Sequence, residues 1–180
     1  MKIWPGKYHV GASRHLLVAL AFLGLCYVGP SLSLSYAAAQ PSEAKADLIL
    51  DSAESLFQAM KAVEPVTIWA RLTERSRKTI SEEVYKNVQS PASGGYTREV
   101  VYRDFEQGGP LSKEYWKAFL TNFDPDMVLE QSRWEMGPVR GDKAEISILF
   151  KKSERPAILK MVNEGGHWRV GLVETFWGRK

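Results

Sequence analysis

The chain reads as an α+β domain, with N-terminal helices packed on a curved four-stranded antiparallel sheet. Three observations predict it. Apolar residues recur at helical spacing from Ile49 onward. The period changes to alternation after Asp124-Pro125. Turn residues at Arg140-Gly141-Asp142, at positions 152–155 and at Gly165-Gly166 divide the alternating part into successive runs. Helices first and a meander afterwards put the helices on one face of the sheet.

The first helix is marked by Ile49, Ala53, Leu56, Met60 and Val63, with Asp47, Asp51, Glu54, Gln58 and Lys61 on the opposite side. Glu64-Pro65 ends it, because proline disfavours a helical residue before it. VTIWARL makes a second, short helix. Thr73 is placed to cap a third, whose stripe is Ile80, Val84 and Val88. SPASGG is a loop by its turn residues. TREVVYRDFEQGG suits a helix capped by Thr97 and stopped at Gly108-Gly109, although its β-branched and aromatic residues also suit a strand; we prefer helix. Ser112 then caps a helix carrying Trp116, Phe119, Leu120 and Phe123 on one side.

Four strands follow. In VLEQSRWEM, Val128, Ser132, Trp134 and Met136 share a face. In KAEISILFK, Ala144, Ile146, Ile148 and Phe150 point one way, and Lys143, Glu145, Ser147 and Lys151 the other. PAILKMVNE and HWRVGLVETFW form a closing hairpin around Gly165-Gly166. No internal repeat or low-complexity tract interrupts the domain.

The first 39 residues read differently. Lys2, Lys7 and Arg14 precede an apolar run, LLVALAFLGLCYV, and Ala37 and Ala39 form an A-x-A cleavage signal. This predicts a secretory signal peptide over residues 1–39, cleaved before Gln40, and a single domain over residues 40–180. Export follows, to the periplasm if the source is Gram-negative. An uncleaved leader would instead anchor the chain in a membrane. The whole chain carries a net charge of +3, supplied by those three leader cations, so the remainder is neutral. A neutral domain has no overall field to gather nucleic acid, and none is expected as a partner. ERSRK and KKSER are short mixed-charge stretches, read as a solvated helix face and a turn.

The single cysteine, Cys26, lies in the leader, which removes disulfides and thiol chemistry from the domain. His9 and His15 lie there too, leaving only His167. A multi-histidine metal site is therefore ruled out by composition, and neither metal nor cofactor is expected.

Helices followed by a meander that closes on Gly166-His167-Trp168-Arg169-Val170 resemble the NTF2-like (cystatin-like) superfamily. The likeness covers most of residues 45–177 and is nearest its small secreted bacterial members, similar to the lumazine-binding-like groups. The resemblance implies a curved sheet wrapping a helix around a cone-shaped pocket. Some members of the superfamily are enzymes, such as ketosteroid isomerase and the SnoaL-like cyclases. Others bind ligands or proteins, or belong to secretion complexes. A ketosteroid-isomerase-like site needs an aspartate base with tyrosine and acid donors. No such set maps onto this chain, which counts against the isomerase reading.

One carboxylate qualifies as a catalytic candidate. On a last strand with Trp168, Val170, Leu172 and Phe176, Glu174 would sit in an apolar setting that suits acid–base work. The alternative pairs it with Arg133 or Arg169, or leaves it solvated. Trp116 and Trp168 read as core. Trp134 and Trp177, flanked by polar residues, are candidates for a ligand pocket, together with Arg133, Glu174 and Tyr102. The expected function is an exported, non-catalytic accessory domain binding a small apolar ligand or an envelope protein in the cone. The alternatives are a SnoaL-like or isomerase-like enzyme using Glu174, and a membrane-anchored assembly subunit. An exposed sheet face leaves room for a homodimer.

Overall fold

A computed structural model of the chain describes residues 42–89 and 95–177. The leader, its cleavage site, the anchor alternative and most of the SPASGG loop lie outside the described residues. The elements are α1 (Glu43–Lys61), α2 (Pro65–Arg71), α3 (Glu74–Val88), α4 (Arg98–Gln107), α5 (Pro110–Leu120), α6 (Pro125–Leu129), β1 (Ser132–Arg140), β2 (Lys143–Phe150), β3 (Ala157–Glu164), β4 (His167–Gly171) and α7 (Leu172–Phe176). The fold is α+β: helices precede an open four-stranded antiparallel sheet in the order β1-β2-β3-β4.

In α1 the predicted stripe buries Ile49, Ala53, Leu56 and Met60 completely, with Phe57 beside them. Val63 does not belong to it. The helix stops at Lys61, and Val63 is half exposed at φ +54°. The reason is a C-terminal lock. The Glu64 N–H donates to the Ala59 carbonyl and the Val63 N–H to the Met60 carbonyl, a pairing that needs a left-handed residue at position 63. A β-branched residue is poorly suited to that conformation.

Helices α2, α4 and α5 share an aromatic core. Trp69 packs against Tyr102 and Phe105, and Phe105 against Tyr115, which meets Trp116. The row continues through Phe119 and Phe123 to Phe57 of α1. Residues 98–107 are helical, as preferred, with Thr97 accepting from the Val100 N–H and Gly108 ending the helix in the left-handed conformation. Ser112 is not a cap, contrary to expectation; it lies inside α5, fully buried. Pro110 starts α5, and the capping acceptor comes from α4, where Asp104 takes the Ser112 N–H at 2.8 Å. Gly109 makes this possible, because a Cβ there would stand 2.1 Å from the Asp104 carboxylate.

The sheet starts later than predicted. Val128 belongs to α6, because Pro125 suits a first helical turn and the Asp124 side chain accepts from the Asp126 N–H. Ser132, Trp134 and Met136 then oppose Phe150, Ile148 and Ile146, so they share the face of Ala144, Ile146 and Ile148. A bulge shifts the register between Met136 and Val139, where Pro138 sits. Gly165 and Gly166, both at positive φ, make the tight β3–β4 turn. Helix α1 lies across the inner face: Phe57 meets the Trp134 ring edge-on at 5.7 Å, and the Ser52 hydroxyl donates to the Trp168 carbonyl. That face is closed by Ile146, Leu159, Met161 and Val170, all nearly or fully buried.

The closing strand is shorter than predicted. β4 ends at Gly171, and residues 172–176 turn into α7. Leu172 and Val173 are both buried, which adjacent residues of a half-covered strand cannot be. Thr175 Oγ1 accepts the Lys160 N–H, taking over the place of the missing strand backbone, and donates to the Gly171 carbonyl.

Replacing Val63 by glycine should stabilise the protein. Relief of left-handed strain outweighs the added unfolded-state entropy by about 1 kcal/mol, raising Tm by about 3 °C. Thermal unfolding of V63G against the parent checks this; an unchanged or lower Tm overturns the strain argument.

Candidate functional site

The chemistry-bearing side chains gather at the N-terminus of α3. Leu72 forms a parallel bridge with Val170, and the Thr73 N–H donates to the Val170 carbonyl at 3.0 Å, so the chain enters α3 along the outer edge of β4. Thr73 caps the helix as predicted, accepting from the Ser76 N–H. Its hydroxyl donates to Glu174 Oε1, and the Ser76 hydroxyl donates to Glu174 Oε2, both at 2.8 Å. Ser76 Oγ in turn accepts the Val173 N–H at 3.1 Å. Thr73 and Ser76 are fully buried and Glu174 half-buried.

Glu174 is therefore neither on the last strand nor sharing a face with Trp168, Val170, Leu172 and Phe176. Nor is it paired with Arg133 or Arg169. Arg133 bridges to its neighbour Glu135 at 3.0 Å, and Arg169 faces Glu164 at 4.0 Å. Glu174 lies on α7 and accepts one hydroxyl on each oxygen, using two of about four acceptor positions to join α7 to α3.

A second carboxylate serves the same helix start. Glu164 of β3 accepts the Glu74 N–H through both oxygens, at 3.0 and 3.1 Å. Negative charge there suits the positive end of α3. Glu74 itself receives Arg77 at 2.9 Å, Lys78 at 3.3 Å and the Tyr102 hydroxyl at 3.2 Å. Partial burial opposes its ionisation, but Lys78, Arg77 and Tyr102 together hold its carboxyl below the usual range. Burial chiefly raises the Tyr102 phenol, with Arg77 opposing and Glu74 assisting. Burial and then the nearby Arg77 lower Arg169, against the pull of Glu164.

The predicted pocket residues do not meet. Trp134 is on the inner face, its Nε1 donating to the Val128 carbonyl at 2.9 Å and its ring packed on Phe57. Arg133 is exposed on the other side of the same strand. Tyr102 is on α4, and Trp177 follows α7, half-buried. Trp116 and Trp168 are core, as expected, and His167 is exposed at its turn. No group of three metal-ligating side chains forms among the described residues.

Two grooves flank α3. The larger, about 830 Å³, runs between α3 and α4 and includes Tyr102. Its bound cations are held by carboxylates of α3: Glu82 holds Arg98 at 2.7 Å and Lys86 at 3.8 Å. The smaller, about 370 Å³, brings Glu174 together with Arg75, Arg140, Lys143, Glu145 and Lys160 over Pro138, Ala144, Met161 and Val162. Sequence reading missed all four of its cations, and missed Ser76 and Glu164 at the junction. No family model, curated protein or solved structure matches the chain.

Two outcomes test the junction. Thr73→Ala removes the cap and a donor to Glu174, and should cost about 2 kcal/mol in urea unfolding. Glu74→Gln should cost less than about 1 kcal/mol at pH 7, because the pairs it breaks are partly exposed. A lowered folded-state pKa contributes stability above the unfolded value and loses it as pH falls through the folded one. The gap between Glu74→Gln and the parent should therefore be present at pH 7 and vanish on acidification.

Proposed function

We propose that the chain is an exported accessory domain that works by binding and carries no catalytic centre, with its recognition surface outside the cone. The observation that supports it best is the position of Glu174. The single acid–base candidate of the sequence has a structural partner for each oxygen, and those partners join two helices. The cone offers little room for an apolar guest, because α1 and the inner sheet face close on each other through Phe57, Trp134, Ile146, Leu159 and Met161. The outer face keeps polar and half-buried positions within reach of a ligand, among them Lys143, Glu145, Lys160 and Val162.

Export rests on the basic, apolar and A-x-A parts of residues 1–39. Among the described residues, no helix is long and apolar enough to cross a membrane. The NTF2-like resemblance, whose members include many binding domains, agrees with a binding role.

Native mass spectrometry of the protein from its host's envelope fraction tests the reading. The expected mature chain begins at Gln40; a chain still beginning at Met1 supports the anchored alternative. A retained small molecule or protein partner is expected with it. Glu174→Gln should lower stability. Turnover of a substrate by the purified protein, lost in Glu174→Gln without unfolding, would falsify the non-catalytic reading.

A further inference from the structure

We infer that the groove beside α3 is a binding site for a phosphate monoester, a dianion attached to a small apolar body. The inference rests on the binding role proposed above and gives that role a ligand class.

Its cations come from four different elements: Arg75 from α3, Arg140 from β1, Lys143 from β2 and Lys160 from β3. Such convergence depends on the sheet register and on the docking of α3, not on a run of basic sequence. Arg140 and Lys143 are direct cross-strand partners, an arrangement that like charges disfavour. Neither of them, nor Arg75, takes part in the ion pairs formed among the described residues.

The groove's two carboxylates are already engaged. Glu145 is bridged by Lys160, and Glu174 accepts the hydroxyls of Thr73 and Ser76. Four cations against two carboxylates leave a surplus of two positive charges, which a phosphate dianion neutralises. Two guanidinium forks suit its oxygens, since arginine pairs with phosphate through parallel hydrogen bonds.

The floor indicates more than the bare ion. Val162 is half-buried on the same outer face as Lys143 and Lys160, and Pro138 lies at the rim, so apolar surface adjoins the cations. A volume of about 370 Å³ lies at the small end of ligand pockets, which run from about 300 to 1,000 Å³. A phosphate head among Arg75, Arg140 and Lys143, with a small apolar group over Val162 and Pro138, fits both parts. The same chemistry is presented by a soluble ester and by a lipid headgroup.

Titration calorimetry with phenyl phosphate, inorganic phosphate and benzyl alcohol tests the assignment on the intact protein. Phenyl phosphate should bind at least tenfold more tightly than inorganic phosphate, benzyl alcohol should not bind, and affinity should fall as salt rises. Arg75→Ala and Lys143→Ala change exposed side chains, and each should weaken phenyl phosphate at least tenfold without lowering Tm. Co-sedimentation with phosphatidic acid vesicles in phosphatidylcholine separates the sources. Loss of sedimentation in both variants assigns the phosphate to a lipid; no sedimentation with intact phenyl phosphate binding assigns it to a soluble ester. Phenyl phosphate affinity that is absent, or equal in the parent and both variants, overturns the site while leaving the binding role standing. Release of inorganic phosphate from bound phenyl phosphate would overturn the non-catalytic reading and leave the site in place.

Discussion

The hydrogen-bonded junction at Thr73 holds the two halves of this fold in one arrangement. Its backbone N–H joins the edge of β4, its hydroxyl joins α7 through Glu174, and its oxygen caps α3. Ser76 repeats the pattern one turn on, donating to Glu174 and accepting from Val173. Buried polar groups are costly unless paired, so these contacts are satisfied together or lost together. Helix α3 could not otherwise lie against the sheet with its N-terminal turn buried. The positions of Arg75 and of Tyr102 follow from that docking.

The two faces of the sheet divide the labour. The inner face is filled by α1 and by aromatic side chains that continue into α2, α4 and α5. Its role is cohesion. The outer face is crossed by charge, and beside α3 and α7 it is concave. A site assembled there inherits its rigidity from β2 and β3 and its charge from the loop ends and from α3. Glu174 stands at the border between these roles, part of the junction and part of the groove wall.

Much of the framework was legible in the residues. The α1 stripe, the Thr73 and Thr97 caps and the alternation of Ala144, Ile146 and Ile148 are local signals, and local signals survive folding. The failures share a cause. GLVETF carries both a strand-like alternation and a helical spacing of Leu172, Val173 and Phe176. What decides between them is Ser76, 98 positions away from Glu174. Ser112 has the look of a cap, but the cap it needs comes from Asp104 of the previous helix. The groove was hidden for the same reason. Arg75 was part of a mixed-charge helix face, Arg140 part of a turn and Lys143 the polar side of a strand. Each is ordinary alone, and only cross-strand register and helix docking bring them together.

The bulge at Pro138 bears on how this domain meets its neighbours. A sheet edge with free N–H and C=O groups is a template for another strand. On β1 that template is broken by a proline, which has no N–H to offer, and by the register shift beside it. On β4 the opposite edge is occupied at Val170 by Leu72 and Thr73. Strand addition is thus obstructed at Pro138 on one edge and at Val170 on the other. The faces, which present side chains in place of unpaired backbone, are thereby left as the more open surface for contact.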